Sequence, residues 1–365
     1  MTRTAGILAD RAIGALFGEG RLISEAMLDH DQIQPASLDL RLGSKALRVR
    51  ASFMPGRSST VADKLERLTL HEIDLENGAV LETGCVYIVP LMESLDLPAN
   101  ISASANPKSS TGRLDIFTRV MVDYAQEFDK VPVGYRGPLY LEISPRTFPI
   151  IVRRGSRLSQ IRFRTGHALL GEQELFDLHA AETLVAAEAP NVSGGGIALS
   201  IDLKGSGPDG LIGYRGKHHT SVIDVDRKAA HDVLDFWEPL YARGRGELIL
   251  DPDEFYILVS NEAVHVPPLY AAEMTPFDPL VGEFRVHYAG FFDPGFGHAG
   301  AGGAGSRAVL EVRSHEVPFI LEHGQIIGRL VYEHMLEPPE GLYGSGLGSN
   351  YQAQGLKLSK HFRAG

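Results

Sequence analysis

Cysteine is nearly missing from this chain: Cys85 stands alone. A single thiol closes no intrachain disulfide, which points to a reducing, cytoplasmic setting. Inside the apolar run Cys85-Val86-Tyr87-Ile88-Val89 it reads as a small buried hydrophobe rather than a nucleophile. Long apolar runs are missing too. Nothing approaches the ~18 consecutive apolar residues of a membrane-spanning helix. Charges interrupt the opening MTRTAGILADRAIGALFGEG, where a secretory leader needs an apolar stretch of about 7–15 residues. Positive charge is not in excess: Lys+Arg 35 against Asp+Glu 46 leave a net −11. That argues against a broad nucleic-acid-binding surface and leaves room for a small anion in a local basic pocket. Turn formers, by contrast, are plentiful. Gly 40 and Pro 21 favour short elements over long helices.

With 365 residues the chain exceeds the roughly 250–300 at which single cores stop growing, so two domains are expected. They are two copies. CVYIVPLMESLDLPANISASANP (85–107) matches EFYILVSNEAVHVPPLYAAEMTP (254–276), and one constant offset relates Tyr87 to Tyr256, Pro98 to Pro267 and Pro107 to Pro276. The same offset relates Glu142 to Glu311, Pro149 to Pro318 and Gly155 to Gly324. A looser match, 35–50 against 197–217, pairs Asp39 with Asp202. Within each copy, β-branched and aromatic runs of four to eight residues are cut by Pro, Gly and Asp. The expectation is a mainly β chain: a tandem duplication of a β-barrel or jelly-roll domain with a few short helices. Helices are expected at 6–17, 21–28, 62–68, 171–189 and 226–241. The boundary falls near the turn-rich Asn191-Val192-Ser193-Gly194-Gly195-Gly196, giving domains 1–190 and 191–365.

Three stretches carry chemistry. Lys108-Ser109-Ser110-Thr111-Gly112-Arg113 packs two cations and three hydroxyls beside a glycine. A polyphosphate needs such donors, although the composition is also that of an ordinary polar turn. Val122 to Asp129, followed by Val133-Gly134-Tyr135-Arg136-Gly137, sets carboxylates around a turn that could hold a base and a sugar, or could be a solvated hairpin. Glu142 sits amid apolar residues on an expected strand. There a carboxylate could serve as a general acid/base, or it could face solvent at an edge. Alternation puts Leu139 and Leu141 on one face, Tyr140 and Glu142 on the other.

Together these stretches resemble the dCTP deaminase family, whose fold is dUTPase-like. The opening motif resembles Gln34 through Gly43, and the phosphate motif Lys108 through Arg113. The sugar/base hairpin resembles Ala125 through Gly137, and the deaminase glutamate Glu142. The tail Asn350-Tyr351-Gln352-Ala353-Gln354 with Lys357 is similar to a segment that folds over the triphosphate. The length and duplication look like the long, two-domain bacterial form.

The resemblance implies hydrolytic deamination of dCTP to dUTP in deoxynucleotide biosynthesis. Glu142 would be the acid/base, Ser109 and the Ala125 backbone would orient water, and Arg113 would support charge. Lys108, Ser110, Asp129, Asp293, Tyr351, Gln354 and Lys357 would bind substrate. It also implies a homo-oligomer of the trimer type, dTTP as an inhibitor, and sites between neighbouring domains. Mg²⁺ would enter only with the triphosphate. Zinc deaminases carry His-x-Glu and Pro-Cys-x-x-Cys, and one cysteine rules out that ligand set.

The copies depart from the pattern differently. Copy two reads Phe277-Asp278-Pro279-Leu280-Val281-Gly282 where the phosphate motif should stand, yet keeps the better hairpin, Phe292-Asp293-Pro294-Gly295-Phe296-Gly297, and its own Glu311. One phosphate motif implies one full site per chain, with Glu142 favoured over Glu311. A bifunctional deaminase–dUTPase and a non-catalytic nucleotide-binding regulator are the alternatives.

Overall fold

Two units make up the chain in the computed structural model, which describes residues 3–187, 190–205, 208–276, 284–286, 290–314, 316–344 and 355–363. The first unit comprises Met1–His167, His219–His231 and Ser359–Gly365; the second comprises Ala168–His218 and Asp232–Leu358. The expected boundary after residue 190 is therefore moved. Leu170, Leu175, Leu184 and Val185 are buried in the core of the second unit, which draws their segment into it. Residues 219–231 return to the first unit because Ile223–Asp224 pairs in parallel with Ile150–Val152.

The first unit has two six-stranded antiparallel sheets. One contains Ile101–Pro107, Arg157–Thr165 and Ser37–Arg41 as consecutive neighbours. The other runs Ile116–Val122, Arg136–Pro145, Val86–Asp96, Lys45–Val49, Thr69–Asp74. A single bridge, Leu42 to Leu91, joins them at a corner. Leu38, Leu40, Leu139, Leu141, Ile143, Ile161 and Phe163 are fully buried, and at about 25 cal/mol per Å² such burial is the main force holding sheet on sheet.

The second unit repeats this plan. Phe255–Val264 pairs with Ser306–Ser314 as Val86–Asp96 pairs with Arg136–Pro145, and Ile201 bridges Ser260 as Leu42 bridges Leu91. Polar details repeat as well. The Tyr87 hydroxyl accepts from the Glu82 N–H at 3.1 Å, and the Tyr256 hydroxyl accepts from the Asp251 N–H at 2.9 Å. Glu93 accepts from the Arg41 N–H and Glu262 from the Ser200 N–H, both at 2.8 Å. The register corrects one expected match. Asp39 lies opposite Gln160, and Ala198 lies opposite Arg329, so Ala198 is the counterpart of Asp39. Asp202 instead takes the place of Gly43: their N–H groups donate to the Val259 and Pro90 carbonyls.

Helices form at Asp10–Gly18, Val61–Leu68 and Glu172–Ala181. Val61–Leu68 starts on a capping box, in which Thr60 and Asp63 each satisfy the other's backbone N–H. Two expected helices are corrected. In 21–28, Leu22–Ser24 is a strand because the edge of Val86–Asp96 offers it a ladder. In 226–241 only Val233–Phe236 is helical. Trp237–Tyr241 then pairs with Leu211–Gly216, with Trp237 fully buried; Pro239 is incompatible with a helix interior. Among the described residues no helix is long and apolar enough to cross a membrane.

Candidate active site

The stretch Lys108 to Arg113 is a tight, anchored turn. The Lys108 N–H donates to the Leu158 carbonyl at 3.0 Å. The chain then closes one helical turn, Ser109–Gly112, with the Thr111 and Gly112 N–H groups donating back to the Lys108 carbonyl. Ser110, Thr111 and Arg113 are buried, and Ser109 is half-buried. The Lys108 ammonium pairs with the buried Asp39 carboxylate, and Arg157 stands 3.7 Å from the same oxygen. Asp39 thus holds two cations beside the motif.

The residues near the chain's end belong to this same unit. Ser359 Oγ donates to the Ser110 carbonyl at 2.8 Å. His361 Nε2 lies 2.8 Å from the Val225 carbonyl, and Nδ1 lies 2.8 Å from Ser359 Oγ. Burial pushes His361 down to about 4, with Lys360 adding to the depression. Lys360 is itself pushed down to about 8, first by burial and then by the charges of Lys108 and Lys228. Three lysines crowded near buried hydroxyls form a place where a polyanion relieves repulsion. Lys360 and Lys228 were not assigned a role by sequence reasoning. Only their approach in space marks them, and no spacing in the sequence announces it.

On the base side the candidates are committed to the fold. Glu142 lies opposite Arg119 and Ile88 in the sheet. Arg119 Nε donates to Glu142 Oε1 at 3.0 Å, and Nη2 donates to the same oxygen. The guanidinium packs over the Phe128 ring, 3.6 Å from its centroid, and over Phe117 at 4.8 Å. Nη2 also donates to Ser52 Oγ at 2.7 Å. Glu142 is 1% exposed, and its Oε2 is buried without a hydrogen bond. Above this face lies the helix Val61–Leu68, whose Val61 and Leu65 pack with Ile88, Met121 and Tyr140. Glu142 and Tyr140 do share a face, as alternation requires, but that face is covered, not solvated.

The hairpin clamps this cover. The Ala125 carbonyl accepts from the Gly56 N–H at 3.0 Å, and its N–H donates to the Val122 carbonyl at 3.3 Å. The Val61 N–H donates to Asp123 at 2.8 Å. Asp129 accepts from the Val120 N–H at 2.7 Å, and burial pushes its carboxyl up to about 7. The backbone groups of Ala125 and one oxygen of Asp129 are thus engaged internally.

In the second unit, Glu311 lies opposite Ile257, as Glu142 lies opposite Ile88, and is 6% exposed. Asp293 is buried at the start of a turn in which the Phe296 N–H donates to the Asp293 carbonyl at 3.1 Å. Gly295 takes φ +97°, a conformation open to glycine and strained for other residues. Lys357 is exposed. Tyr351, Gln354 and the segment 277–282 lie outside the described residues.

Comparison with known proteins adds the following. Residues 4–167 match the family model "2'-deoxycytidine 5'-triphosphate deaminase (DCD) N-terminal domain", and residues 171–362 match the model for its C-terminal domain. A crystal structure of 2'-deoxycytidine 5'-triphosphate deaminase from Agrobacterium tumefaciens is 82% identical with a TM-score of 0.90, covering 95% of this chain and 100% of that one. A dCTP deaminase of Halorubrum lacusprofundi is 32% identical over 160 residues, 43% of this chain and 76% of that protein. A "dCTP deaminase, dUMP-forming" of Methanosphaera stadtmanae is 29% identical over 164 residues, 44% of this chain and 79% of that protein.

Proposed function

Because the chain belongs to the 2'-deoxycytidine 5'-triphosphate deaminase family, we propose that it hydrolyses the C4 amine of dCTP and supplies dUTP to pyrimidine deoxynucleotide synthesis in the cytoplasm. The observation that carries this reading is the motif Lys108 to Arg113. It is a buried, hydroxyl-rich turn with Lys108 held by Asp39 and Lys360 crowded against like charge.

In the reaction, water adds to C4, the amine takes up a proton and leaves as ammonia, and the C4 carbonyl remains. A glutamate, Glu142 or its counterpart Glu311, takes the proton from water and passes it to the amine. Ser109 orients that water, and Arg113 supports the charge that develops in the reaction. Mg²⁺ enters as part of the triphosphate substrate, and the route uses no zinc. dTTP carries the same triphosphate and is the expected inhibitor; a homo-oligomer of the trimer type is the expected assembly.

A second reading is that dUTP is hydrolysed further. Relatives such as the Methanosphaera stadtmanae protein are named dUMP-forming. Product analysis separates the two: dUTP and ammonia mark the first, dUMP with pyrophosphate the second.

A further inference from the structure

An arginine–carboxylate pair is commonly bidentate, with two parallel N–H bonds running to two different oxygens. Arg119 and Glu142 pair otherwise. They stand directly opposite each other in the sheet, so both side chains rise on the same face. Arg119 Nε and Nη2 both donate to Glu142 Oε1. Oε2 is buried without a hydrogen-bond partner among the described residues. Buried carboxylate oxygens are normally paired, and one left unpaired marks either strain or chemistry. The arginine is itself held in place. Its guanidinium carbon lies 3.6 Å from the Phe128 ring centroid and 4.8 Å from that of Phe117, and Nη2 donates to Ser52 Oγ at 2.7 Å. The result is a carboxylate with one oxygen anchored and the other kept in reserve.

A general base needs an oxygen free for the proton it takes, held in a fixed direction. In the reaction, water gives its oxygen to C4, one of its protons ends on N3, and the other leaves with the amine as ammonia. Resting on the deaminase reading above with Glu142 as its acid/base, we propose that Arg119 is a positioning residue of this reaction: by tying down Oε1 it leaves Oε2 to accept the proton of the attacking water. Arg119 acts through Glu142, not on the substrate. The helix Val61–Leu68 covers this face. Its Val61 N–H bond to Asp123 and the Gly56 N–H bond to the Ala125 carbonyl join the cover to the hairpin, and substrate entry parts them. Lysine cannot stand in for the arginine. An ammonium on a flexible stem supplies neither the two converging N–H bonds nor a plane to stack on Phe128.

The test uses the full chain with dCTP and Mg²⁺. Wild type is assayed first for ammonia release; none sinks the deaminase reading itself. Glu142→Gln is expected to lose roughly 10²–10⁴ in kcat; wild-type turnover there sinks Glu142 as the acid/base, and Arg119 with it. Given both results, Arg119→Lys tests Arg119 alone. We expect kcat to fall by about 10²-fold, with the dCTP dissociation constant within a few-fold of wild type. Wild-type kcat in Arg119→Lys overturns the proposal. So does a loss of dCTP binding as large as the loss of kcat, which marks a merely structural pair. Ser52→Ala answers the same question where Arg119→Lys does not fold, because Ser52 is exposed and its hydroxyl bonds the guanidinium. Losing that one bond should lower kcat by about 2–10-fold with KM unchanged; an unaltered kcat overturns the proposal there too.

Discussion

Ser359 Oγ donates to the carbonyl of Ser110 at 2.8 Å, so residues far along the chain are built onto the Lys108–Arg113 turn. The adjoining pieces reinforce the bond. The Ala229 and Ala230 N–H groups donate to the Lys360 and His361 carbonyls, and Phe362 is buried against His231.

Truncation after Gly341 should therefore destabilise the protein as well as impair it. Burying a phenylalanine is worth about 1.5–3 kcal/mol, and each kcal/mol moves Tm by about 2–4 °C in a domain of this size. We expect a fall of about 3–12 °C by calorimetry, with weakened dCTP binding. An unchanged Tm would show that residues 359–363 add nothing to the first unit. The sequence gives no sign of this anchoring. The stretch is polar and Gly-flanked, and its pairing with 229–231 joins segments too distant for any local pattern to reveal.

Acid sensitivity should follow from His361. Its ordinary value of 6.5 falls to about 4 in the folded state, mainly through burial. The unfolded chain therefore binds more protons between about pH 6.5 and 4, and stability is lost as pH falls through that window. At 1.36 kcal/mol per unit, the loss by pH 4.5 is about 2.5 kcal/mol. His361→Gln should have a flatter Tm profile between pH 7 and 4.5 than wild type; parallel profiles would contradict the assignment.

Arg113→Ala should weaken dCTP binding by about 10–100-fold, since a charge-assisted hydrogen bond is worth roughly 1.5–3 kcal/mol, while deoxycytidine binding changes little. Titration calorimetry with both ligands decides this. Equal losses would remove Arg113 from the phosphates.

Breaking the buried pair is costly on one side only. Arg119→Met leaves the 1%-exposed Glu142 without its partner and should cost about 3–5 kcal/mol. Arg119→Met/Glu142→Leu should recover most of that in denaturant unfolding. If the single and double variants are equally unstable, Arg119 matters for its packing on Phe128 and not for its charge.

Much of this was legible in the sequence. The duplication and the β architecture follow from spacing and alternation, and the strand carrying Glu142 lies where its apolar neighbours place it. Arg119 was not singled out. Its ion pair depends on the register of Ile116–Val122 against Arg136–Pro145, which no single strand encodes. The segment 21–28 reads as a helix in the sequence for a related reason. Its residues have ordinary helix propensity, and only the free edge of Val86–Asp96 draws Leu22–Ser24 into a sheet.

The central claim is that this chain deaminates dCTP, and the most direct measurement is quantification of ammonia and nucleotide products after incubation with dCTP and Mg²⁺. We expect one ammonia per dCTP consumed, with uracil nucleotide, dUTP first, appearing in equal amount. Consumption of dCTP without ammonia, or binding without any conversion, would contradict the account.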